Sequence, residues 1–457
     1  MKTVEIVSKK ERHAQGKALR VKCPRTSHAE WKPPHDRPDP IRLVRKADEG
    51  RLTDLLPLRH GRMVASPFAF YRGSALAMAV DLAGIPSTGI RVQCGGDSHL
   101  MNFQGLATPE RQIIFAINDL DDTIPAPWEW DLNRLAASFV IACRDNGLSE
   151  SAARDAVLSC VRSYREHMAE FAEMKVLDLW YFAVEAEMLI AGVKDAGIRR
   201  GAIKNLAKAR ESSTSEGLFP KLVGDSGGTP AFKDQLPAIF HWKGHAPGEI
   251  HPIVWDAFAR YRESLAPNHR MLLDRYEVKD AAAKVVGVGS VGTACWMILL
   301  MAGGGDPLIL QVKEARASVL EAYAGKSLFP NHGQRVVNGL RLMQPSSDIF
   351  LGWTEGKRGR HFYVRQLRDV KIKLAVETFE TAKMMVFADC CGYSLALSHA
   401  RSGDAAMISG YLGKSDELDK ALAEFSIAYA DQNEKDHAAL ERAIRDGKVE
   451  AVLEEAK

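Results

Sequence analysis

Residues 284–293 read KVVGVGSVGT, an apolar run at 294–302 follows, Gly303-Gly304-Gly305-Asp306 turns the chain, and residues 308–313 (LILQVK) return. Short β-branched runs punctuated by glycine give strand, turn, strand, hairpin, strand, which demands an antiparallel sheet late in the chain. Gly287, Gly289 and Gly292 fit G-x-G-x-x-G. A dinucleotide-binding fingerprint of that spacing would open a helix, whose amides receive the pyrophosphate. Here the run continues as a strand, which argues against a dehydrogenase. Bare glycines in a hairpin turn let backbone amides approach phosphates. Lys313, on the returning strand, is placed to reach the α- and β-phosphates of a nucleotide. Glu321 lies eight residues on in a helix-like run. It is slightly preferred to Glu314 as the partner of Lys313, because adjacent strand residues point to opposite faces.

The second informative stretch lies some two hundred residues earlier. Residues 90–94 (IRVQC) read as a strand entering Gly95-Gly96-Asp97-Ser98-His99-Leu100-Met101-Asn102, and residues 111–117 (RQIIFAI) read as a strand entering Asn118-Asp119-Leu120-Asp121-Asp122. Asp97 is placed to accept the proton of an attacking hydroxyl. Asn102, Asp119 and Asp121 offer oxygen ligands to Mg²⁺, with Asp122 orienting the loop. Kinase-type phosphoryl transfer uses this set. His99 is read as a brace of the loop or a substrate contact, a single histidine being no metal constellation. Asp131 starts a helix at 131–147 and is expected to tie the loop down. Arg62 and Arg72 are candidate substrate or phosphate contacts, against the alternative of solvated arginines on a packed helix pair. Trp128-Glu129-Trp130 is expected to anchor a loop by aromatic burial.

At 457 residues the chain exceeds one ordinary core. A net charge of +3 gives no global case for nucleic acid or membrane. The seven cysteines are odd in number and sit mostly in apolar runs, which suits reduced thiols and a cytoplasmic protein. No apolar stretch approaches the roughly 20 residues that span a bilayer. Residues 1–46 form a basic, Pro-containing arm with thirteen Lys/Arg against five Asp/Glu, either wrapping the body or solvated. Residues 47–275 read as a helical unit carrying the catalytic and metal loops, with 211–236 a mobile insertion. Residues 276–370 are a small β unit, including strand candidates 348–353 and 361–367. Residues 371–457 return to a helical pattern.

Residues 97–102 (DSHLMN), 119–122 (DLDD) and Asp131-Leu132 resemble the aminoglycoside phosphotransferase and choline kinase branch of protein kinase-like enzymes, whose motif is H-G-D-x-H-x-x-x-N followed by a strand and Asp. Gly95 stands where that motif has His. The resemblance implies Asp97 as base and Asn102 and Asp119 as metal ligands. Gly287 to Gly292 and Lys313 resemble the small-lobe flap and lysine. The implied fold is α+β and protein kinase-like, with two lobes in circularly permuted order: helical large lobe, small antiparallel lobe, then C-terminal helices, with 361–370 as hinge. Residues 66–73 (SPFAFYRG), 95–103, 118–123, 127–138, 285–293 and 429–437 (YADQNEKDH) also resemble a bacterial family of domains of unknown function. The expected activity is ATP- and Mg²⁺-dependent phosphoryl transfer to an unidentified hydroxyl acceptor. Nucleotidyl (AMP) transfer, or a nucleotide-binding pseudokinase that regulates a partner, remain alternatives. A metal-dependent phosphoesterase lacks its later Gly-Asn-His run.

Overall fold

A computed structural model describes residues 7–211, 219–241, 252–285, 287–367, 371–372 and 374–454. The glycine-punctuated block forms the antiparallel strands its pattern demands. β8 (Glu277–Lys284), β9 (Cys295–Met301) and β10 (Pro307–Ala315) pair consecutively, with Ala283 opposite Trp296 and Lys313 opposite Cys295. The G-x-G-x-x-G run therefore lies between two neighbouring antiparallel strands and opens no helix; Val286, just before it, lies outside the described residues. The sheet has six strands in the order β11-β12-β10-β9-β8-β7, adding β7 (Ile239–Phe240), β11 (Gly352–Glu355) and β12 (His361–Gln366).

The sheet also draws on residues before 276. The segment 211–236, expected to be a mobile insertion, holds a hairpin of β5 (Val223–Ser226) and β6 (Thr229–Phe232). Residues 212–218 of it lie outside the described residues. Leu222, Val223 and Phe232 pack against Ala282, Met297 and Leu299 of the sheet, and Phe232 N donates to the buried Asp280 at 2.6 Å. Apolar burial anchors the hairpin where composition suggested a loose loop. The strand expected at 348–353 starts only at Gly352, because Asp348 takes the backbone amide of Phe350 at 2.8 Å and turns the chain first. Residues 368–370 of the expected hinge lie outside the described residues.

The rest is a helical body with small antiparallel strand pairings packed into its core, so the protein is α+β. Helix Trp128–Asp145 is buried from Trp128 to Cys143, its apolar residues packed in the core and its Glu129, Asp131 and Arg134 engaged by polar partners. Helices Glu150–Glu173, Thr381–Ser402 and Glu417–Arg445 surround it. Gly392 permits one crossing: a Cβ there would stand 2.1 Å from Cys160 O. All seven cysteines are free. Among the described residues no helix is long and apolar enough to cross a membrane.

The described part of the basic arm lies against the C-terminal helices. Helix Lys9–Ala18 carries a capping box between Ser8 and Glu11 and packs on helix Ala405–Leu412. Gly16 and Gly410 make that contact possible, since a Cβ at either would fall 1.9 Å and 2.0 Å from the opposing carbonyl oxygens of Met407 and His13.

Candidate functional site

Two short hairpin-like pairings position the acids. β2 (Phe103–Ala107) pairs with β3 (Ile113–Ile117), Phe103 opposite Ile117. That register brings Asn102 beside Asn118, whose amide donates to Asn102 O at 2.7 Å. β1 (Arg91–Cys94) pairs with β4 (Ile124–Pro127), Cys94 opposite Ile124, so the Asp97 loop runs against the Asp122 end of the acidic loop. Gly96 is required at their contact: its φ is +83°, and a Cβ would meet Asp122 O at 2.5 Å.

The Asp97 loop is braced from below. Asp131 accepts from Gly95 N at 2.6 Å and from Gly96 N at 3.1 Å. His399 Nε2 lies 3.3 Å from the same carboxylate, and its Nδ1 lies 2.8 Å from Tyr164 Oη. Cys94, Asp131 and His399 place ligand atoms within 4.8 Å of one another. With Asp131 engaged by two backbone amides and His399, we assign this cluster to bracing. His399, from a distant helix, supports a loop in which Gly95 stands where a histidine was expected.

Asp97 pairs with the buried Arg134, whose Nε donates to Oδ1 at 2.6 Å. Arg134 stacks over the Tyr71 ring at 4.3 Å from its centroid. Burial pushes the Asp97 carboxyl up to about 7, with Asp122 and Asp119 adding to it and Arg134 opposing. Asn102 Nδ2 donates to Asp97 O at 2.7 Å, which leaves its Oδ1 as the oxygen free for a cation. His99 is buried with its ring edge toward Phe68 and its Nδ1 unpartnered. Burial, reinforced by Arg72 and Arg134, holds it well below the usual histidine range, so it is neutral.

The sheet reaches this floor through three side chains. Lys313 Nζ donates to Asp121 at 2.8 Å and to Asp119 at 3.2 Å. Tyr363, opposite Lys313 in β12, donates its hydroxyl to the other Asp121 oxygen at 2.6 Å. Arg365 Nη1 donates to Asn118 O at 3.3 Å. Burial would raise Asp119, but Lys313 and Arg365 outweigh it and hold the carboxylate well below its usual range. Burial and the Asp119 charge raise Asp121. Asp119 is therefore the stronger anion of the pair. Asp122 accepts from Val319 N at 2.9 Å and so ties the loop to the chain beyond β10.

Two expectations need correction. Glu321 is not the partner of Lys313: its helix begins after the chain has left β10, and its carboxylate faces Ser318 N and His332. Lys313 instead gives two of its three ammonium protons to Asp119 and Asp121. Glu314 indeed points away, accepting Ala294 N at 2.9 Å. Arg62 is outside the cleft. It pairs with Glu454 and donates to Gly287 O at 2.7 Å, pinning the glycine-rich loop from behind. Arg51 likewise holds Val291 O at 2.6 Å, and Leu52 N holds Gly292 O at 2.7 Å.

Asp97, His99, Asn102, Asp119, Asp121, Arg72 and the Gly287–Gly289 turn line one cleft of about 280 Å³. Arg134, Tyr363, Arg365 and His399 are site-forming residues without a local motif. Only the cross-strand position of Tyr363 opposite Lys313 could have signalled one of them.

Glu129, buried behind the site, accepts from Thr88 N at 2.7 Å and Thr88 Oγ1 at 2.6 Å. Burial pushes it up from 4.5 to about 7 against those bonds. A carboxyl raised on folding stabilises the protein fully below pH about 4.5, and that contribution is lost as pH rises through about 7. Glu129→Gln is expected to raise unfolding free energy at pH 8 by about 2 kcal/mol and to leave it little changed at pH 4. Urea unfolding at both pH values checks this.

A family model described as "Uncharacterized protein conserved in bacteria (DUF2252)" matches residues 51–443. No curated protein and no solved structure matches the chain.

Proposed function

The chain belongs to the DUF2252 family, and from the contents of its cleft we propose that it is an ATP- and Mg²⁺-dependent phosphotransferase acting on a hydroxyl acceptor. We read the whole as a protein kinase-like two-lobe fold in circularly permuted order, with the acid-bearing hairpins ahead of the glycine-rich sheet. One observation carries the reading: Lys313 crosses from the sheet to Asp119 and Asp121 while Asp97, Asn102 and the Gly287–Gly289 turn line the same cleft.

The donor set fits Mg²⁺: a strongly anionic Asp119 carboxylate and an Asn102 whose amide nitrogen is already engaged, both oxygen ligands. Bound there, Mg²⁺ would neutralise charge on the nucleotide phosphates. The chain's own groups supply the rest. The amides of the pinned Gly287–Gly292 loop and the Lys313 ammonium hold the phosphates. Tyr363 fixes Asp121, and through it the register of Lys313. Asp97, raised to about 7, accepts the acceptor's hydroxyl proton near neutral pH. Arg134 aims that carboxylate and Asp131 holds its loop. Most of the rate then derives from positioning and electrostatics.

The reading is tested by incubating the protein with ATP labelled at the γ- and, separately, the α-phosphate, with Mg²⁺ and a pooled metabolite extract. Transfer of the γ-label is expected. Transfer of the α-label would replace phosphoryl by nucleotidyl transfer, and transfer of neither would sink both. Lys313→Met is expected to weaken ATP binding by about tenfold or more, since a charge-assisted contact to phosphate is lost. Equilibrium binding of a fluorescent ATP analogue checks it.

A further inference from the structure

We propose that the end of the cleft lined by Lys46, Arg51, Arg59, Arg72 and Arg316 is a phosphate subsite, separate from the Asp119 and Lys313 floor. All five line the same cavity as Asp97 and the glycine-rich turn. They converge from separate elements: Lys46 from helix Pro40–Asp48, Arg59 from Leu56–Val64, Arg72 from Pro67–Gly73, and Arg316 from just beyond β10.

Among the described residues only Arg59 of the five is in a direct ion pair, with Asp48, although Asp97, Asp122 and Glu314 line the same cavity. Asp48 is hydrogen-bonded to Arg59 at 3.0 Å but is shared with His60 at 2.8 Å. Arg51 spends its donors on the carbonyls of Ala47 and Val291, and Arg316 on that of Glu49, none of which carries net charge. The Nε atoms of Arg59 and Arg72 are buried without a partner, and Arg59 is fully buried. Burial, with repulsion from Arg59 and Arg316, pushes the Arg51 guanidinium down to about 9. A dianion bound in the cavity would add counter-charge to the guanidinium groups that line it. Guanidinium groups match phosphate oxygens in a bidentate manner, which a lysine-only pocket would not.

The glycine-rich loop is moulded to this cluster. A Cβ at Gly289 would lie 2.9 Å from Arg72 O, and one at Gly292 would lie 3.1 Å from the Arg51 Cβ. The loop thus closes the cationic end as well as the acidic floor. This deepens the phosphotransferase reading and rests on it for the identity of the cleft. The phosphate is either one carried by the acceptor or the nucleotide's own terminal group.

Titration calorimetry of the full chain with inorganic phosphate, free of metal and nucleotide, tests the subsite. Saturable one-site binding is expected, weakened about tenfold by Arg72→Gln. Lys46→Gln, at the exposed rim where folding is not at stake, is expected to weaken it two- to threefold, roughly the effect of one screened charge. A repeat with saturating Mg²⁺ and a non-hydrolysable ATP analogue separates the sources. Unchanged phosphate affinity assigns the subsite to the acceptor, and competition assigns it to the nucleotide tail. No saturable binding, or wild-type affinity in both variants, overturns the proposal. Phosphate binding without label transfer from ATP would leave the subsite standing and remove the phosphotransferase.

Discussion

Asp97→Asn is expected to lower phosphoryl transfer by about 10²- to 10⁴-fold, the usual range for a positioned general base. Asparagine keeps an oxygen where Arg134 donates at 2.6 Å, so the loop geometry is expected to persist. The two glycine amides held by Asp131 do not involve the Asp97 side chain at all. ATP affinity is therefore expected to stay within a few-fold of wild type, because Lys313 and the glycine-rich loop are untouched. This split separates a reacting group from a structural one. A variant that loses ATP binding and turnover together, with a lowered melting temperature, would demote Asp97 to a scaffold residue. Turnover at the wild-type level would remove it from the mechanism outright. The measurement is label transfer under saturating ATP beside a binding isotherm and a melting curve on the same preparation.

Why Asp97, Asn102, Asp119 and Lys313 could be found from sequence is physical. Each sits at a strand end or in a turn, where local chemistry leaves a readable signature of glycine, β-branched runs and short polar residues. The glycine-rich run was legible as a hairpin for the same reason. Arg134, His399 and Tyr363 were not, because they reach the site through helix packing and strand pairing across large sequence separations. Glu321 failed for a related reason. An offset of eight residues says nothing about where a helix starts after a strand ends. Within 211–236 the hairpin of Val223–Ser226 and Thr229–Phe232 escapes a reading by composition, because polar and glycine residues around it hide Leu222, Val223 and Phe232, which bury against the sheet. Arg62 shows the limit from the other side. A basic residue near a glycine-rich turn can serve the turn's backbone carbonyl.

Arg37→Ala is expected to destabilise the protein by about 3–5 kcal/mol, the range for breaking a buried ion pair from one side. Arg37 Nε donates to Asp81 at 2.7 Å, and its Nη2 donates to Asp436 at 2.7 Å. The three side chains are only 7%, 1% and 6% exposed, so removing the guanidinium leaves two carboxylates facing each other away from water. Tyr429 donates to Asp81 at 3.0 Å and Gln432 to Asp436 at 2.7 Å, but neither supplies charge. Burial already raises Asp81 even with Arg37 present. Without the arginine, Asp81 is expected to fold preferentially with its proton. The loss should then be larger at pH 8 than at pH 5, the sign expected when folding binds protons. Adding Asp81→Asn and Asp436→Asn to Arg37→Ala is expected to recover much of the lost stability, because the uncompensated charge goes with the carboxylates. Urea unfolding of the three proteins at both pH values reads these differences directly. A loss under about 1 kcal/mol would mean that the arm lies on the surface without holding it. The consequence reaches the cleft. Asp81 ends the helix Ala75–Leu82, whose Ala75 and Leu76 line the cavity, so Arg37 ties the arm and the long C-terminal helix to one wall of the site. Activity in Arg37→Ala should accordingly fall before the protein unfolds, through a helix that has lost its anchor.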